Sequence, residues 1–185
     1  MSEPLTSRFA TVSAAILLGG GGAPDATRLA ARLARLFEDV MLVGGPPSAQ
    51  LGARHVPDVD GPACALRGVV SALAAARGER VLVVAGDLPA PAPELLLALV
   101  AWPEADLVWP RTPSGLQPLC GLYRRDAALE VARRRLAEGR LTLHELTSAL
   151  ETAELGPDEL AALDLDTRAL EPVPTSREPG LSDPG

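Results

Sequence analysis

Val81-Leu82-Val83-Val84-Ala85 runs directly into Gly86-Asp87-Leu88-Pro89. Five apolar residues, three of them β-branched, are too short a run for a buried helix. They have the composition of a strand covered on both faces. The glycine and proline that follow end it abruptly, leaving a carboxylate at its carboxyl edge.

The same grammar repeats on both sides. Upstream, Thr11–Leu18 (TVSAAILL) grows more apolar and stops at Gly19–Gly22, which reads as a second buried strand ending in a turn. Pro24 and Asp25 suit the opening of a helix. Leu29, Leu33, Leu36 and Phe37 then recur at helical spacing, with Arg28, Arg32 and Arg35 between them. Val40–Val43 is a further buried strand closed by Gly-Gly-Pro-Pro, and His55–Asp58 a brief one. Leu66, Val69, Val70 and Leu73 form a helical stripe for which Gly78 is the expected stop.

Downstream, a Pro-opened helix has Leu95–Val100 as its apolar body, and Asp106–Trp109 is a strand. Pro110–Gly115 reads as a turn-rich loop, and Leu119–Tyr123 returns as a strand. Asp126 is placed to cap a helix bearing Leu129, Ala132 and Leu136, ended by Gly139. Thr142 and Glu145 have capping-box spacing before Leu146 and Leu150. Leu155 to Thr167 is expected to be a connection. Residues 1–10 read as a loose leader, 11–170 as the domain, and the Pro-rich, polar 171–185 as a disordered tail.

Alternating strands and helices predict a three-layer, Rossmann-like α/β fold with a mainly parallel sheet. Ligands of such sheets lie beyond the carboxyl ends of the strands. That directs attention to Gly19–Gly22, Asp58–Pro62, Gly86–Pro89 and Asp164–Thr167.

Composition removes several chemistries. Of 185 residues none is lysine; all 17 basic residues are arginine, against 24 acidic ones, for a net charge of −7. A phosphate loop ending in Gly-Lys-Ser/Thr and any lysine Schiff base are therefore excluded. The acidic balance argues against nucleic acid or an anionic membrane as partner. Cys64 and Cys120 lack metal-ligand spacing, which suits a reduced, cytoplasmic chain. No apolar run reaches the ~18–20 residues of a membrane helix, and the first ten residues have no signal-peptide core.

Individually, the candidate residues leave alternatives open. Gly19–Gly22 is either a flexible turn or a backbone cradle that a phosphate or base can approach closely. It is not a Gly-x-Gly-x-x-Gly fingerprint, because Asp25 stands where the third glycine belongs. An acid at the end of the second strand, where a dinucleotide fold wants one, is also absent; Gly44 and Gly45 are there instead. Asp87 is either a metal-holding carboxylate or a turn residue. Asp164 and Asp166 would point the same way on an extended segment, toward one metal, or they belong to a solvated turn. Asp58 and Asp60 are equally open. His55 and His144 have no evident partner, and Arg133–Arg135 reads as a solvated helix face.

Order and spacing say more than any single motif. Leu18-Gly19-Gly20, Pro57-Asp58, Ala65-Leu66-Arg67-Gly68, Gly86-Asp87-Leu88-Pro89, Gln117–Arg124 and Asp164-Leu165-Asp166-Thr167 follow one another as in a known family. The chain resembles molybdenum cofactor guanylyltransferase (molybdopterin-guanine dinucleotide biosynthesis protein A) and its sister cytidylyltransferase, over roughly residues 12–170. The resemblance implies a nucleotidyltransferase that binds GTP and Mg²⁺, moves GMP onto the phosphate of molybdopterin with release of pyrophosphate, and has a molybdoenzyme-maturation protein as a partner. It places Leu18, Gly19 and Gly20 against the nucleotide through their backbone and Asp58 at a second nucleotide contact. Asp87 becomes a metal and nucleotide ligand. Asp164 and Asp166 fall where the family usually has Asn-x-Asn-Thr; the Asp-x-Asp-Thr form belongs to the wider superfamily and tilts slightly toward another nucleotide.

The chain departs from the family at one functional place. After the first Gly-Gly the family carries a loop of the type Ser-x-Arg-Met-Gly-x-x-Lys, whose cations grip the triphosphate. Here Gly22-Ala23-Pro24, matching the Gly-x-Pro that follows that loop, comes at once. Arg28 does not replace the lysine, since it lies a turn into the next helix. Loss of preorganised cations at a phosphoryl-transfer centre typically costs orders of magnitude in rate. A non-catalytic nucleotide-, pterin- or partner-binding relative, a pseudoenzyme, is therefore the alternative to the transferase. The family's last helix is also curtailed, by Pro172 and Pro174.

Overall fold

The computed structural model describes residues 9–19, 26–46, 52–102, 104–112 and 115–164. Gly20–Asp25, Asp166, Thr167, the tail 171–185 and the first eight residues lie outside the described residues.

The strands are β1 (Val12–Leu17), β2 (Asp39–Val43), β3 (Arg54–Val56), β4 (Arg80–Ala85), β5 (Leu107–Thr112), β6 (Gly115–Leu116), β7 (Cys120–Arg124) and β8 (Thr152–Leu155). The helices are α1 (Ala26–Leu33), α2 (Ala65–Ala75), α3 (Pro93–Val100), α4 (Arg125–Ala137), α5 (Leu143–Thr147) and α6 (Pro157–Ala162). The sheet order is β3-β2-β1-β4-β7-β5, with β6 and β8 both pairing with β5. β1 to β4 are mutually parallel, and β8 is parallel to β5. β7 runs against both of its neighbours, β4 and β5. The sheet is thus mainly parallel, with one reversed strand at its centre.

Side-chain alternation assigns the three layers. Ala14 and Ile16 of β1, with Leu82 and Val84 of β4, join Leu29 and Leu33 of α1, Leu95 and Leu99 of α3 and Leu160 of α6 in one buried cluster. Ala15 and Leu17, with Val81 and Val83, join Leu66, Val69 and Leu73 of α2, Ala128 and Ala132 of α4 and Leu146 of α5 in the other. β1 and β2 are buried along their whole length, which is why their sequences lack the polar alternation of a half-exposed strand. Among the described residues no helix is long and apolar enough to cross a membrane.

At the amino-terminal edge of the sheet a polar clamp ties the strands together. The Asp39 carboxylate, 8 % exposed, accepts from Ser13 Oγ at 2.6 Å, Arg54 Nε at 2.8 Å and the Arg77 amide at 3.1 Å. Burial by itself would raise its pKa, but these donors outweigh burial and hold it below the ordinary carboxylate value. Ser13 Oγ also accepts from the amide of Gly78 at 2.8 Å.

Several expectations from sequence are corrected here. Gly78 does not stop a helix: α2 ends at Ala75, and Gly78 is needed because a Cβ there would lie 2.4 Å from the carbonyl oxygen of Thr11. Pro110–Gly115 is not simply a loop. β5 runs on through Thr112, and Pro110 lies opposite Leu155 of the parallel β8. The connection expected after Leu155 contains α6, opened by Pro157. Asp126 is not a cap; it lies in the first turn of α4 and accepts from Arg125 Nε. Arg135 is not solvated like Arg133 and Arg134, its side chain being only 17 % exposed beside Glu138. Phe9, read with the leader, is buried with its ring 4.8 Å from that of Phe37. The capping box is as expected: Thr142 Oγ1 accepts from the amide of Glu145.

Candidate nucleotide site at the carboxyl edge of the sheet

Parallel strands deliver their carboxyl ends to one edge, and Leu18, Gly19, Asp58 and Asp87 lie along it. The amide of Leu18, just past β1, donates to Val43 at the end of β2, and the amide of Gly86, just past β4, donates to Leu17. The turns after β1, β2 and β4 are therefore laced into one rim. The reversed β7 adds its beginning: Ala85 donates to the carbonyl of Leu119.

Gly19 is exposed, and a Cβ built on it would meet nothing within 4 Å. Its backbone is bare, as a base- or phosphate-approaching segment requires. Gly20 lies outside the described residues. Asp87 is exposed in the turn after β4, and Leu88, buried at 4 %, anchors that turn, its amide donating to the carbonyl of Ala85. Among the described residues nothing hydrogen-bonds or pairs with the Asp87 carboxylate, so it is available to an external cation.

Asp58 reaches the rim from the segment after β3. Its Oδ2 accepts from Arg67 Nη2 at 3.0 Å. A Cβ on Gly44 would sit 2.9 Å from that oxygen, and a Cβ on Gly45 would sit 3.3 Å from the Leu18 side chain. The Gly44-Gly45 turn, with φ of +77° and +64°, therefore lies between Asp58 and Leu18 and joins them into one patch. From the sequence these glycines read as the close of the strand and the place of a missing acid, not as a link between Asp58 and Leu18. Two adjacent glycines at a strand end, both in the left-handed region, were the available signal. His55 does have partners: its Nε2 lies 3.3 Å from the carbonyl oxygen of Gly44.

The Ala-Leu-Arg-Gly segment opens α2 and does two jobs. Gly68 allows the helix to approach Leu17, whose Cδ1 would be 3.3 Å from an added Cβ. Arg67 pins Asp58 and also donates to the carbonyl of Gly61 at 2.9 Å. Ser71 holds the next residue, accepting from the amide of Val59 at 2.8 Å.

The late acidic pair is not brought in as drawn. Asp164 is exposed directly after α6 with φ of +53°, a left-handed residue at a helix end rather than part of an extended segment. Asp166 lies outside the described residues. Among the described residues no three His, Cys, Asp or Glu side chains form a metal-holding group. A cleft of about 380 Å³ opens at the opposite edge, floored by Ser13 and Asp39. The polar atoms of that floor are already engaged in the clamp, and it lies away from every strand end where the candidate residues gather.

Comparison with known proteins bears on the family and the fold. The MobA-like NTP transferase domain family matches residues 7–154. A probable molybdenum cofactor guanylyltransferase of Chloroflexus aggregans is 35 % identical over 170 residues, covering 88 % of this chain and 81 % of the relative. Another, from Pelotomaculum thermopropionicum, is 36 % identical over 101 residues, covering 53 % of this chain and 49 % of the relative. Among solved structures, molybdopterin-guanine dinucleotide biosynthesis protein A of Archaeoglobus fulgidus superposes with a TM-score of 0.71 at 18 % identity, covering 88 % of this chain and 93 % of that one. 2-C-methyl-D-erythritol 4-phosphate cytidylyltransferase of Thermus thermophilus does so with 0.57 at 14 %, covering 81 % and 96 %. These superpositions speak for the nucleotidyltransferase fold. With the family match spanning β1 to β8 and a long relative above 30 % identity, the chain belongs to the MobA-like NTP transferase domain family.

Proposed function

We propose that this chain is a nucleotidyltransferase that moves GMP from GTP to the phosphate of molybdopterin. A phosphate oxygen of molybdopterin would attack the α-phosphorus of GTP. The bond from that phosphorus to the bridging oxygen breaks, and pyrophosphate leaves with the electron pair. The observation that carries the reading is the rim itself. The bare backbone at Gly19, the glycine turn between Leu18 and Asp58, and the unpartnered Asp87 lie together where this fold receives nucleotides. The names of the two bacterial relatives support the choice of reaction.

In this reading the backbone at Leu18–Gly20 faces the nucleotide and Asp58 accepts one of its donors. Asp87 is suited to Mg²⁺, which keeps several waters and takes one or two carboxylates plus substrate phosphates rather than a full protein cage. The ion supplies charge neutralisation for the leaving pyrophosphate. Asp164 and Asp166 are proposed as outer ligands to the same ion.

A second reading, a relative that binds nucleotide or pterin without turnover, rests on the missing Arg/Lys loop and on a chain without lysine. One experiment separates the two. Incubation with GTP, Mg²⁺ and molybdopterin should release pyrophosphate, and Asp87→Ala should abolish the release. Binding of GTP without release favours the second reading. No release together with no binding of GTP or molybdopterin removes both.

A further inference from the structure

Arg67 is the described arginine that the rim geometry ties to a candidate nucleotide contact. Its Nη2 holds Asp58 Oδ2 at 3.0 Å and its Nη1 holds the Gly61 carbonyl at 2.9 Å. Both side chains are about three-quarters covered, at 24 % and 27 % exposure. The fork spans two partners on the segment after β3, so the guanidinium is set from two sides. The carboxylate also lies close against the bare Gly44 backbone, where an added Cβ would be 2.9 Å from Oδ2. Val59, next in the chain, is pinned by Ser71. Asp58 is thereby held in one place with one oxygen engaged. Its Oδ1 accepts no hydrogen bond among the described residues, and Leu18 and Gly19 lie across the glycine turn.

We infer that Arg67 is a positioning residue that sets base selectivity. It fixes the Asp58 carboxylate so that the remaining acceptor capacity meets the N–H donors on the edge of a guanine-type base. This deepens the proposed function and rests on it, since it requires nucleotide at this rim. The physical reason is that a fixed acceptor discriminates and a free one does not. A carboxylate that can swing adapts to whatever donor arrives, whereas one held by a guanidinium that is itself anchored on a second partner, the Gly61 carbonyl, is left unpaired by a base lacking the matching donor. Lysine in place of Arg67 would put a compact ammonium on a flexible stem there, without the planar fork that spans Asp58 and the Gly61 carbonyl, and would hold the carboxylate less well.

The test compares dissociation constants of GTP, ITP and 2′-deoxy-GTP by calorimetry. ITP lacks only the exocyclic amine, and 2′-deoxy-GTP lacks only a ribose hydroxyl. Wild type is expected to prefer GTP over ITP by about tenfold or more. Arg67→Ala should bring that ratio close to one, and Arg67→Lys should restore part of it. Asp58→Asn should collapse the ratio as well, and combining it with Arg67→Ala should add nothing further. That non-additivity is a readout a merely structural role would not give. An Arg67→Ala protein that weakens GTP and ITP equally overturns the inference. So does a wild-type preference that falls on the ribose hydroxyl instead of the amine. No GTP binding by the wild-type chain at millimolar nucleotide would remove the nucleotide reading, and this inference with it. Selectivity that ignores Arg67 would remove the inference alone.

Discussion

Gly44→Ala is the most informative single substitution at the rim. The residue has φ of +77°, so alanine is held in the left-handed region at a cost of about 1–2 kcal/mol. The added Cβ would also lie 2.9 Å from Asp58 Oδ2, closer than real contacts allow. That neighbour is the tip of a side chain rather than backbone, so the carboxylate swings aside instead of the strand unfolding. Stability should therefore fall only by the backbone strain. For a chain of this size that is a drop of roughly 2–8 °C in Tm. GTP affinity should fall further, by about tenfold, because Asp58 has been moved. Gly45→Ala is the matched control. Its φ of +64° imposes the same strain, but its Cβ meets the Leu18 side chain at 3.3 Å and leaves Asp58 in place. Scanning calorimetry and isothermal titration with GTP on both variants separate the effects. If Gly44→Ala keeps the wild-type GTP affinity while Tm falls as expected, displacement of Asp58 has no effect on binding, and the role assigned to the carboxylate fails.

Other consequences lie away from the rim. Asp39 is held below its ordinary pKa of 3.8, so the clamp stabilises the fold fully above that value. The contribution is lost as pH falls through 3.8 toward the depressed folded value; Asp39→Asn should flatten this acid limb in urea titrations between pH 5 and about 3. Gly78→Ala places a Cβ against two backbone atoms of the β1 entry, 2.4 Å and 2.7 Å away. Its urea midpoint should drop by an amount at or beyond the upper end of the roughly 1–3 kcal/mol typical of overpacking. Cys120 is 1 % exposed, and burial pushes its thiol up to about 12; a disulfide reagent should modify Cys64 in the native protein and Cys120 only after unfolding.

Much of the fold was legible because its central strands are buried on both faces. An apolar run such as Val81–Ala85, or Thr11–Leu18 ending in glycine, then has few competing readings. What failed was where tertiary pairing overrode local character. Pro110 reads as a breaker, yet it stands in a strand whose ladder continues with β8. Gly78 reads as a helix stop, yet it answers to a backbone 65 residues earlier, through the Ser13 hydroxyl. At the site, Gly19, Asp58 and Asp87 were visible as punctuation after strands. The glycine turn that joins Asp58 to Leu18 was not, nor was Arg67's hold on the carboxylate. Both depend on which strand ends become neighbours, and that is a property of the sheet order rather than of any local stretch.

That sheet order also dictates when the protein can become itself. β1 lies between β2 and β4, and Val12 finds its partner Arg80 only after both intervening strands and two helices have been made. β4 in turn waits for β7, whose Tyr123 lies opposite Val81. Pairings this distant in sequence close large loops before they return any stabilisation, which slows folding. On a ribosome, the most apolar strands would emerge first and remain with open edges until the chain had passed residue 124. Until then the β4 edge that β7 will cover has no partner strand.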